Sequence, residues 1–239
     1  MTKLLYQTDS YLKEFDSVVS AIDAENHGVI LEQTAFYPGG GGQPSDSGWL
    51  ESQGSGYRVS KIKRIAGNLV HLIEGQEPLP ESGQTVTGRI DWERRYQLMR
   101  THSALHVLCG VVFRDYGASV TGGDMDPLQG RMDFEFETMQ RELVDEIEAA
   151  INLEVGKNHP IKVAILPREQ AFQIPDLIRT KINLLPEGIS EVRTVEIVGL
   201  DLQADGGTHV HNTSEIGRIR VVDYKSKGKI NKRIYIEVE

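Results

Sequence analysis

The chain has 239 residues, 26 Lys and Arg against 35 Asp and Glu, a formal net charge of −9 and 39% hydrophobic residues. This composition is typical of a globular protein of one large or two modest domains, and it excludes a collagen, a charged tail and a membrane-spanning chain. The net acidity alone argues against a nucleic-acid partner, because phosphate binding needs clustered Lys and Arg. With one cysteine, Cys109, and no apolar leader, the sequence predicts a cytoplasmic protein without disulfides.

The first ninety residues have the pattern of β-structure. Short runs rich in β-branched residues alternate with Gly, Pro, Ser and Asn turns, a spacing typical of a small barrel or sandwich. The predicted strands are residues 17–22, 28–33, 57–65, 69–73 and 84–90. A glycine-rich stretch, residues 36–44, interrupts them, and no segment of this half has a helical period.

From Asp91 onward the pattern mixes helices and strands. Apolar residues near a 3.6 period predict a long amphipathic helix from Trp92 to about Tyr116. A second helix is predicted from a Thr138 N-cap through Val155. The predicted strands are residues 130–137, 160–166 and 192–198 and a terminal hairpin of 216–224 with 230–238. We therefore predict an α+β fold, with a β-barrel-like domain over residues 1–90 and an α/β domain over residues 91–239 that ends in a β-hairpin.

Two short segments carry potential metal ligands. His102 and His106 lie one turn apart on the predicted helix, so both imidazoles share a face, as in many zinc sites. The same spacing also fits one buried and one exposed histidine. In the second segment, Gly206 and Gly207 permit a tight turn that could aim Asp205 and His209 at one point, although a plain β-turn is the alternative. Convergence of the two segments would give the three or four ligands that a catalytic zinc site requires.

Two other features could contact phosphate. The backbone N–H groups of Gly40, Gly41 and Gly42 could cradle an anion, although a flexible hairpin tip explains the glycines equally well. Residues 218–233 hold seven basic side chains and one acid, a local charge of +6 that could reach a phosphate backbone. The alternative for these cations is protection of a strand edge against aggregation. The candidate contacts in this hairpin are Arg218, Lys225, Lys227 and Lys229.

Three motifs together resemble the AlaX-type alanyl-tRNA editing proteins, relatives of the editing domain of alanyl-tRNA synthetase. They are Tyr-Pro-Gly-Gly-Gly-Gly-Gln-Pro at 37–44, Thr-His-Ser-Ala-Leu-His at 101–106 and Asp-Gly-Gly-Thr-His-Val at 205–210, in the family's order and spacing. The terminal hairpin resembles the small domain shared by alanyl- and threonyl-tRNA synthetases. The resemblance covers essentially the whole chain, and the length matches the medium-sized class.

The resemblance implies a trans-editing hydrolase that deacylates alanine tRNA mischarged with serine, or with glycine, independently of ATP and alanine. It also implies a Zn²⁺ ion held by His102, His106, Asp205 and His209. Asp205 stands where the synthetases have cysteine, so the fourth ligand is either its carboxylate or a water that it holds. Zinc would either activate a water or anchor the aminoacyl group, and the sequence leaves both routes open.

An editing site that spares alanine needs a buried hydrogen-bond partner for the serine hydroxyl. By chemistry alone the candidates are Thr101, Ser103, Thr121 and Thr208, of which Thr101 and Thr208 are the predicted catalytic residues. The rival functions are another zinc-dependent aminoacyl-ester hydrolase, a non-catalytic zinc module that binds tRNA, and an editing enzyme for threonine tRNA. Cys109 is predicted to be a small buried hydrophobic residue rather than a nucleophile.

Overall fold

The computed structural model describes residues 2–180 and 188–239, which form two compact units, Met1–Tyr96 and Gln97–Glu239. The division falls a few residues after the predicted boundary at residue 90 and lies inside the first long helix. The α+β class, the N-terminal barrel and the C-terminal hairpin are confirmed. Within the described ranges, no helix is both long and apolar enough to cross a membrane.

The first unit is built around a closed antiparallel barrel of six strands. In chain order the strands of this unit are β1 (Lys3–Leu4), β2 (Glu14–Asp23), β3 (Gly28–Leu31), β4 (Gln33–Thr34), β5 (Gly48–Ser52), β6 (Ser55–Ile65), β7 (Asn68–Ile73) and β8 (Thr85–Ile90). The order around the barrel is β2-β3-β7-β6-β5-β8. A 3₁₀ turn, Leu5–Gln7, and a short parallel pair, β1 with β4, lie outside the barrel.

The barrel interior is filled by alternate apolar side chains from its strands, as the period-two pattern predicts. Leu31, Leu50, Val59 and Ile62 are among the buried members. The sequence prediction missed β5, a five-residue strand that begins four residues after the end of the glycine-rich stretch. Its first residue is glycine for a steric reason: a Cβ on Gly48 would lie 2.1 Å from the Arg89 carbonyl oxygen on β8.

The glycine-rich stretch forms a loop of the first unit, and buried ionic contacts hold the base of this loop. Asp46 accepts a hydrogen bond from the Tyr37 N–H at 2.5 Å and pairs with the guanidinium of Arg95, whose Nε lies 2.9 Å from Asp46 Oδ1. Both charged side chains are almost completely buried. Residues 39–42 all have positive φ angles, between 58° and 141°, which glycine adopts without strain. The tip is therefore a defined turn on a fixed base.

The second unit contains two antiparallel sheets, β14-β15-β10-β9 and β11-β12-β13. A 3₁₀ turn, Thr213–Glu215, precedes the terminal hairpin. In chain order the elements are α1 (Trp92–Tyr116), whose first turn belongs to the first unit, β9 (Val120–Asp126), β10 (Gln129–Glu135), α2 (Arg141–Gly156), β11 (Ile161–Pro167), α3 (Arg168–Ala171), β12 (Glu191–Ile197), β13 (Asp201–Ala204), β14 (Ile219–Ser226) and β15 (Asn231–Val238).

Two details of the sequence prediction are wrong in this unit. The residue that caps α2 is Gln140, in an extended conformation at φ −121° and ψ 167°, so Thr138 lies outside the helix. Helix α1 has the predicted bounds but is not amphipathic, since every residue from Thr101 to Val112 is buried. Its polar side chains in this stretch face other elements of the second unit and not water. Cys109 is buried as predicted, and burial raises the pKa of its thiol.

Candidate metal centre

The buried middle of α1 supplies two histidines to one site. The imidazole centroids of His102 and His106 are 5.1 Å apart, the separation of neighbours one helical turn apart. Both residues are nearly buried, with 4% and 5% of their surface exposed. The alternative of one exposed histidine therefore does not hold.

The other two side chains come from the turn that follows β13. The Asp205 N–H donates to the Arg193 carbonyl at 3.1 Å, and the Gly207 N–H donates to Asp205 Oδ2 at 2.6 Å. These bonds fold the chain so that Asp205 Oδ2 lies 3.2 Å from His209 Nε2. The turn thus aims a carboxylate and an imidazole at one point, which a plain β-turn would not do.

The four side chains converge. One ligand atom from each of His102, His106, Asp205 and His209 lies within 4.8 Å of all the others. Asp205 Oδ1 is 3.4 Å from His102 Nε2 and 3.8 Å from His106 Nε2. Ligands bound tetrahedrally at about 2.0–2.1 Å are separated by roughly 3.3–3.4 Å. The donor set and its spacing therefore fit a metal ion after small side-chain movements.

The charges of the cluster also suit a cation. Burial lowers the pKa of His102 and, with repulsion from its neighbours, lowers the pKa of His209 well below its usual range. Burial would lower the pKa of His106 as well, but the nearby carboxylates of Asp201 and Asp205 raise it to about 9. Although burial alone would raise it, the surrounding histidines hold the pKa of Asp205 well below normal. A bound cation would displace the proton that His106 carries.

A second carboxylate, Asp201 at the start of β13, contacts the cluster from behind. Its side chain is fully buried, with Oδ2 3.3 Å from His106 Nδ1. Oδ1 lies 3.3 Å from Nε of Arg179, and Oδ2 accepts from Gln203 Nε2 at 2.6 Å. Metal-ligating histidines usually present their second ring nitrogen to such a carboxylate. The sequence reasoning missed Asp201, although an acid four residues before Asp205 was a visible signal.

Two further residues hold the ligands in place. Ser103 Oγ lies 3.3 Å from His209 Nδ1 and accepts the Val210 N–H at 3.2 Å. Arg193 Nη1 donates to the Asp205 carbonyl at 2.9 Å and lies 3.6 Å from Asp205 Oδ2. Ser103, a candidate from sequence for contact with the serine hydroxyl, is thus placed against a cluster histidine, and Arg193 is a contact that the sequence did not indicate.

The predicted threonines occupy different environments. Thr101 is fully buried, and its hydroxyl donates to the Gln97 carbonyl at 2.9 Å and accepts the Leu128 N–H at 2.8 Å. Thr208 is also fully buried, directly before His209. Thr121 is exposed, and its hydroxyl lies 3.1 Å from Asn231 Oδ1.

The basic residues of the terminal hairpin divide into two groups. Lys232 is buried and donates to the carbonyls of Gly228 and Lys229, and Arg233 forms a two-point contact with Asp133 at 2.6 and 2.8 Å. The side chains of these two residues are therefore engaged in contacts within the second unit. The four predicted tRNA contacts, Arg218, Lys225, Lys227 and Lys229, are exposed, although Lys225 also pairs with Asp223 at 2.9 Å. Of the glycines, Gly40 and Gly41 are exposed at the loop tip of the first unit.

Comparison with known proteins first places the chain among proteins related to tRNA synthetases. Residues 4–94 match the family described as tRNA synthetases class II (A), and residues 192–235 match the threonyl and alanyl tRNA synthetase second additional domain. These regions cover the barrel and the part of the second unit that holds Asp205, His209 and most of the hairpin.

Individual relatives narrow the family. The chain is 42% identical over 243 residues to the alanyl-tRNA editing protein AlaX-M of Saccharolobus solfataricus, covering 100% of both chains. It is 39% identical over 241 residues to that of Methanosarcina acetivorans, covering 98% of each. It also matches the alanine–tRNA ligase of Pyrobaculum aerophilum at 39% identity, over 92% of this chain and 25% of the ligase. The chain belongs to the AlaX-M family of alanyl-tRNA editing proteins, which confirms the resemblance.

The contact between Asp201 and His106 generates a test on metal affinity. Replacing Asp201 with Ala removes the carboxylate that faces His106 Nδ1, so we expect the affinity of the site for a divalent metal ion, tested with zinc, to fall about 10- to 100-fold. Asp201→Asn keeps the shape and one acceptor oxygen, so its loss should be smaller. Competition with a chromogenic chelator measures both.

Glu154→Gln provides a matched control in the same unit. Glu154 is also a buried carboxylate between an arginine and a histidine, with Arg114 Nη1 at 2.5 Å and His159 Nε2 at 2.9 Å, but it lies outside the cluster. Its loss should lower stability and leave zinc affinity unchanged. Wild-type zinc affinity in folded Asp201→Ala would contradict the assigned role.

Proposed function

We propose that this protein hydrolyses, in trans, the ester bond of alanine tRNA mischarged with serine or glycine. The observation that carries the proposal is the buried cluster of three imidazoles and one carboxylate, in a chain that belongs to the AlaX-M family. The full-length relatives are named alanyl-tRNA editing proteins. Removal of the wrong amino acid from tRNA by ester hydrolysis is the reaction that such a name describes.

We propose zinc as the ion, because three imidazole nitrogens with one carboxylate oxygen form a donor set that zinc commonly takes. His102, His106 and His209 would each bind through Nε2. Asp205 would be the fourth ligand, since the distances from its Oδ1 to the two helix histidines match ligand spacing. Zinc bound there would act as a Lewis acid towards the ester carbonyl or a water. The Gly207 N–H keeps Asp205 oriented through Oδ2.

The protein must distinguish serine from alanine by one hydroxyl. A buried polar group that the serine hydroxyl satisfies, and that alanine leaves unpaired, discriminates strongly between them. We propose that hydroxyls beside the metal ligands supply this contact. Thr101 and Thr208 directly precede His102 and His209 in the chain, and both are fully buried. The Thr101 hydroxyl already bonds Gln97 and Leu128, which holds the helix in place around His102, so Thr208 is the preferred candidate for the contact to serine.

The tRNA contacts are proposed at two places. In the second unit, the exposed Arg218, Lys225, Lys227 and Lys229 give the hairpin a positive surface for phosphates. In the first unit, the loop tip of Gly40, Gly41 and Gly42 presents backbone close to solvent without side chains in the way, because a Cβ at Gly41 would meet open space. The Gly40 N–H already donates to the Gln43 carbonyl at 3.0 Å, so the N–H groups of Gly41 and Gly42 are the ones proposed to receive an anion.

Removing both helix histidines tests the metal and the chemistry together. We expect His102→Ala/His106→Ala to lose bound zinc and to lose release of serine from seryl-tRNA of the alanine type, because two of four ligands are gone. Elemental analysis and a deacylation assay measure the two losses. His211→Ala is the control, since His211 is exposed and outside the cluster. Full deacylation activity of the metal-free double variant would refute the zinc mechanism.

Neutralising the hairpin tests the proposed tRNA contact in the second unit. We expect Lys225→Gln/Lys227→Gln/Lys229→Gln to bind tRNA more weakly and with a shallower salt dependence, by about 0.7–0.9 in the slope of log K against log salt per lost phosphate contact. Hydrolysis of a small seryl ester should be unchanged, because these lysines are not part of the cluster. An unchanged slope would show that the lysines only protect the strand edge.

A further inference from the structure

The first unit carries a second concentration of positive charge, separate from the hairpin. Strand β6 contains Arg58, Lys61, Lys63 and Arg64, and the sequence has no acidic residue between Glu51 and Glu74. These four side chains and Trp49 on neighbouring β5 are called the barrel stripe below.

The lysines of the barrel stripe point away from the barrel core. Ile62, between Lys61 and Lys63, is 1% exposed and belongs to the buried core, so its two neighbours face outward. Lys61, Lys63 and Arg64 are all exposed. Within the described part of the chain, no carboxylate lies at ion-pair distance from any of these three, which leaves their charge available to a ligand.

An exposed aromatic ring accompanies the charges. Trp49 is 45% exposed and lies directly opposite Arg58 in the pairing of β5 with β6. The Arg58 guanidinium sits over the indole, 5.4 Å from the ring centroid. An exposed aromatic ring next to a row of cations is the combination that proteins use to stack an unpaired base while holding the backbone.

Protection of a sheet edge is the structural alternative for the lysines of the barrel stripe. Lysines protect the free edges of sheets, as they can on β14, which is an edge strand. Strand β6 is hydrogen-bonded to β7 over Val59–Ile65 but to β5 only over Ser55–Val59, so Lys61, Lys63 and Arg64 lie on a stretch that is paired on one side. By contrast, the charge of Arg89 on β8 is neutralised by two carboxylates, Glu14 at 3.0 Å and Glu51 at 3.4 Å. The binding test below separates edge protection from tRNA binding.

We propose that the barrel stripe binds tRNA, with Lys61 and Lys63 on backbone phosphates and Trp49 stacked on an unpaired base. This inference rests on the proposed function, since it takes the substrate tRNA as the ligand. It adds a contact surface in the first unit to the hairpin in the second. A chain with net charge −9 needs such local surfaces, because its overall field repels phosphate.

Two variants separate the contribution of charge to tRNA binding from the contribution of base stacking. Lys61→Gln/Lys63→Gln should raise the Kd for alanine tRNA about tenfold or more near 0.1 M salt and reduce the log K against log salt slope by about 1.4–1.8. Trp49→Ala should weaken binding about 5- to 150-fold with an unchanged slope, because the indole is neutral, and Trp49→Phe should restore part of the loss. In both variants KM for the mischarged tRNA should rise while kcat, and hydrolysis of a small seryl ester, stay at wild-type values.

Lys3→Gln/Lys162→Gln is the matched control, since it removes the same charge from two exposed lysines outside the barrel stripe and the hairpin. Wild-type-like folding is checked by thermal unfolding. If the stripe variants match this control in Kd and slope while wild-type protein binds and deacylates tRNA, the inference is overturned and the proposed function stands. If wild-type protein neither binds nor deacylates charged tRNA, both are overturned.

Discussion

The burial of polar side chains in the middle of α1 is the constraint on which the second unit depends. Twelve successive residues, Thr101 to Val112, are shielded from water, and two of them are histidines. Burying such groups is costly unless each finds a partner. The partners come from β13 and the turn after it, where Asp201 and Asp205 face His106 and His102. The pairing of β12 with β13 therefore provides partners for the buried histidines and also positions the carboxylates of the candidate metal site.

This arrangement explains why the cluster is rigid enough to receive an ion. His102 and His106 are fixed by a helix, and the Asp205 turn is fixed by Gly207 and Arg193. The cluster holds one negative charge, on its carboxylate, and three imidazoles that become positive when they bind a proton. A metal ion would balance the carboxylate better than protons on the imidazoles do. An aspartate in place of a thiolate keeps the ligand set free of oxidisable sulfur, and the chain's one cysteine is buried.

The sequence predicted those features that depend on local spacing. Two histidines four apart on a helix had to share a face, and a glycine pair after Asp205 allowed the tight turn that returns His209. The bounds of α1 and the terminal hairpin were predicted for the same reason. Strands β5, β9 and β13 were missed because they are short or rich in Gly and Asp, so their formation depends on neighbouring strands.

Features that depend on burial were not predictable. The amphipathic reading of α1 failed because its polar face turns inward to partners distant in sequence. Asp201 looked like any surface acid until the fold placed it against His106. Similarly, the four cations of β6 could be counted in the sequence, but only the pairing of β5 with β6 places Arg58 over the exposed ring of Trp49.

The most direct test of the account is metal removal and return in the wild-type protein. The protein is stripped with a chelator, verified metal-free by elemental analysis, and assayed on alanine tRNA charged with serine or with alanine, before and after one equivalent of zinc. We predict that release of serine disappears on stripping and returns with zinc, while alanyl-tRNA is spared throughout. Undiminished release of serine by the metal-free protein would contradict it.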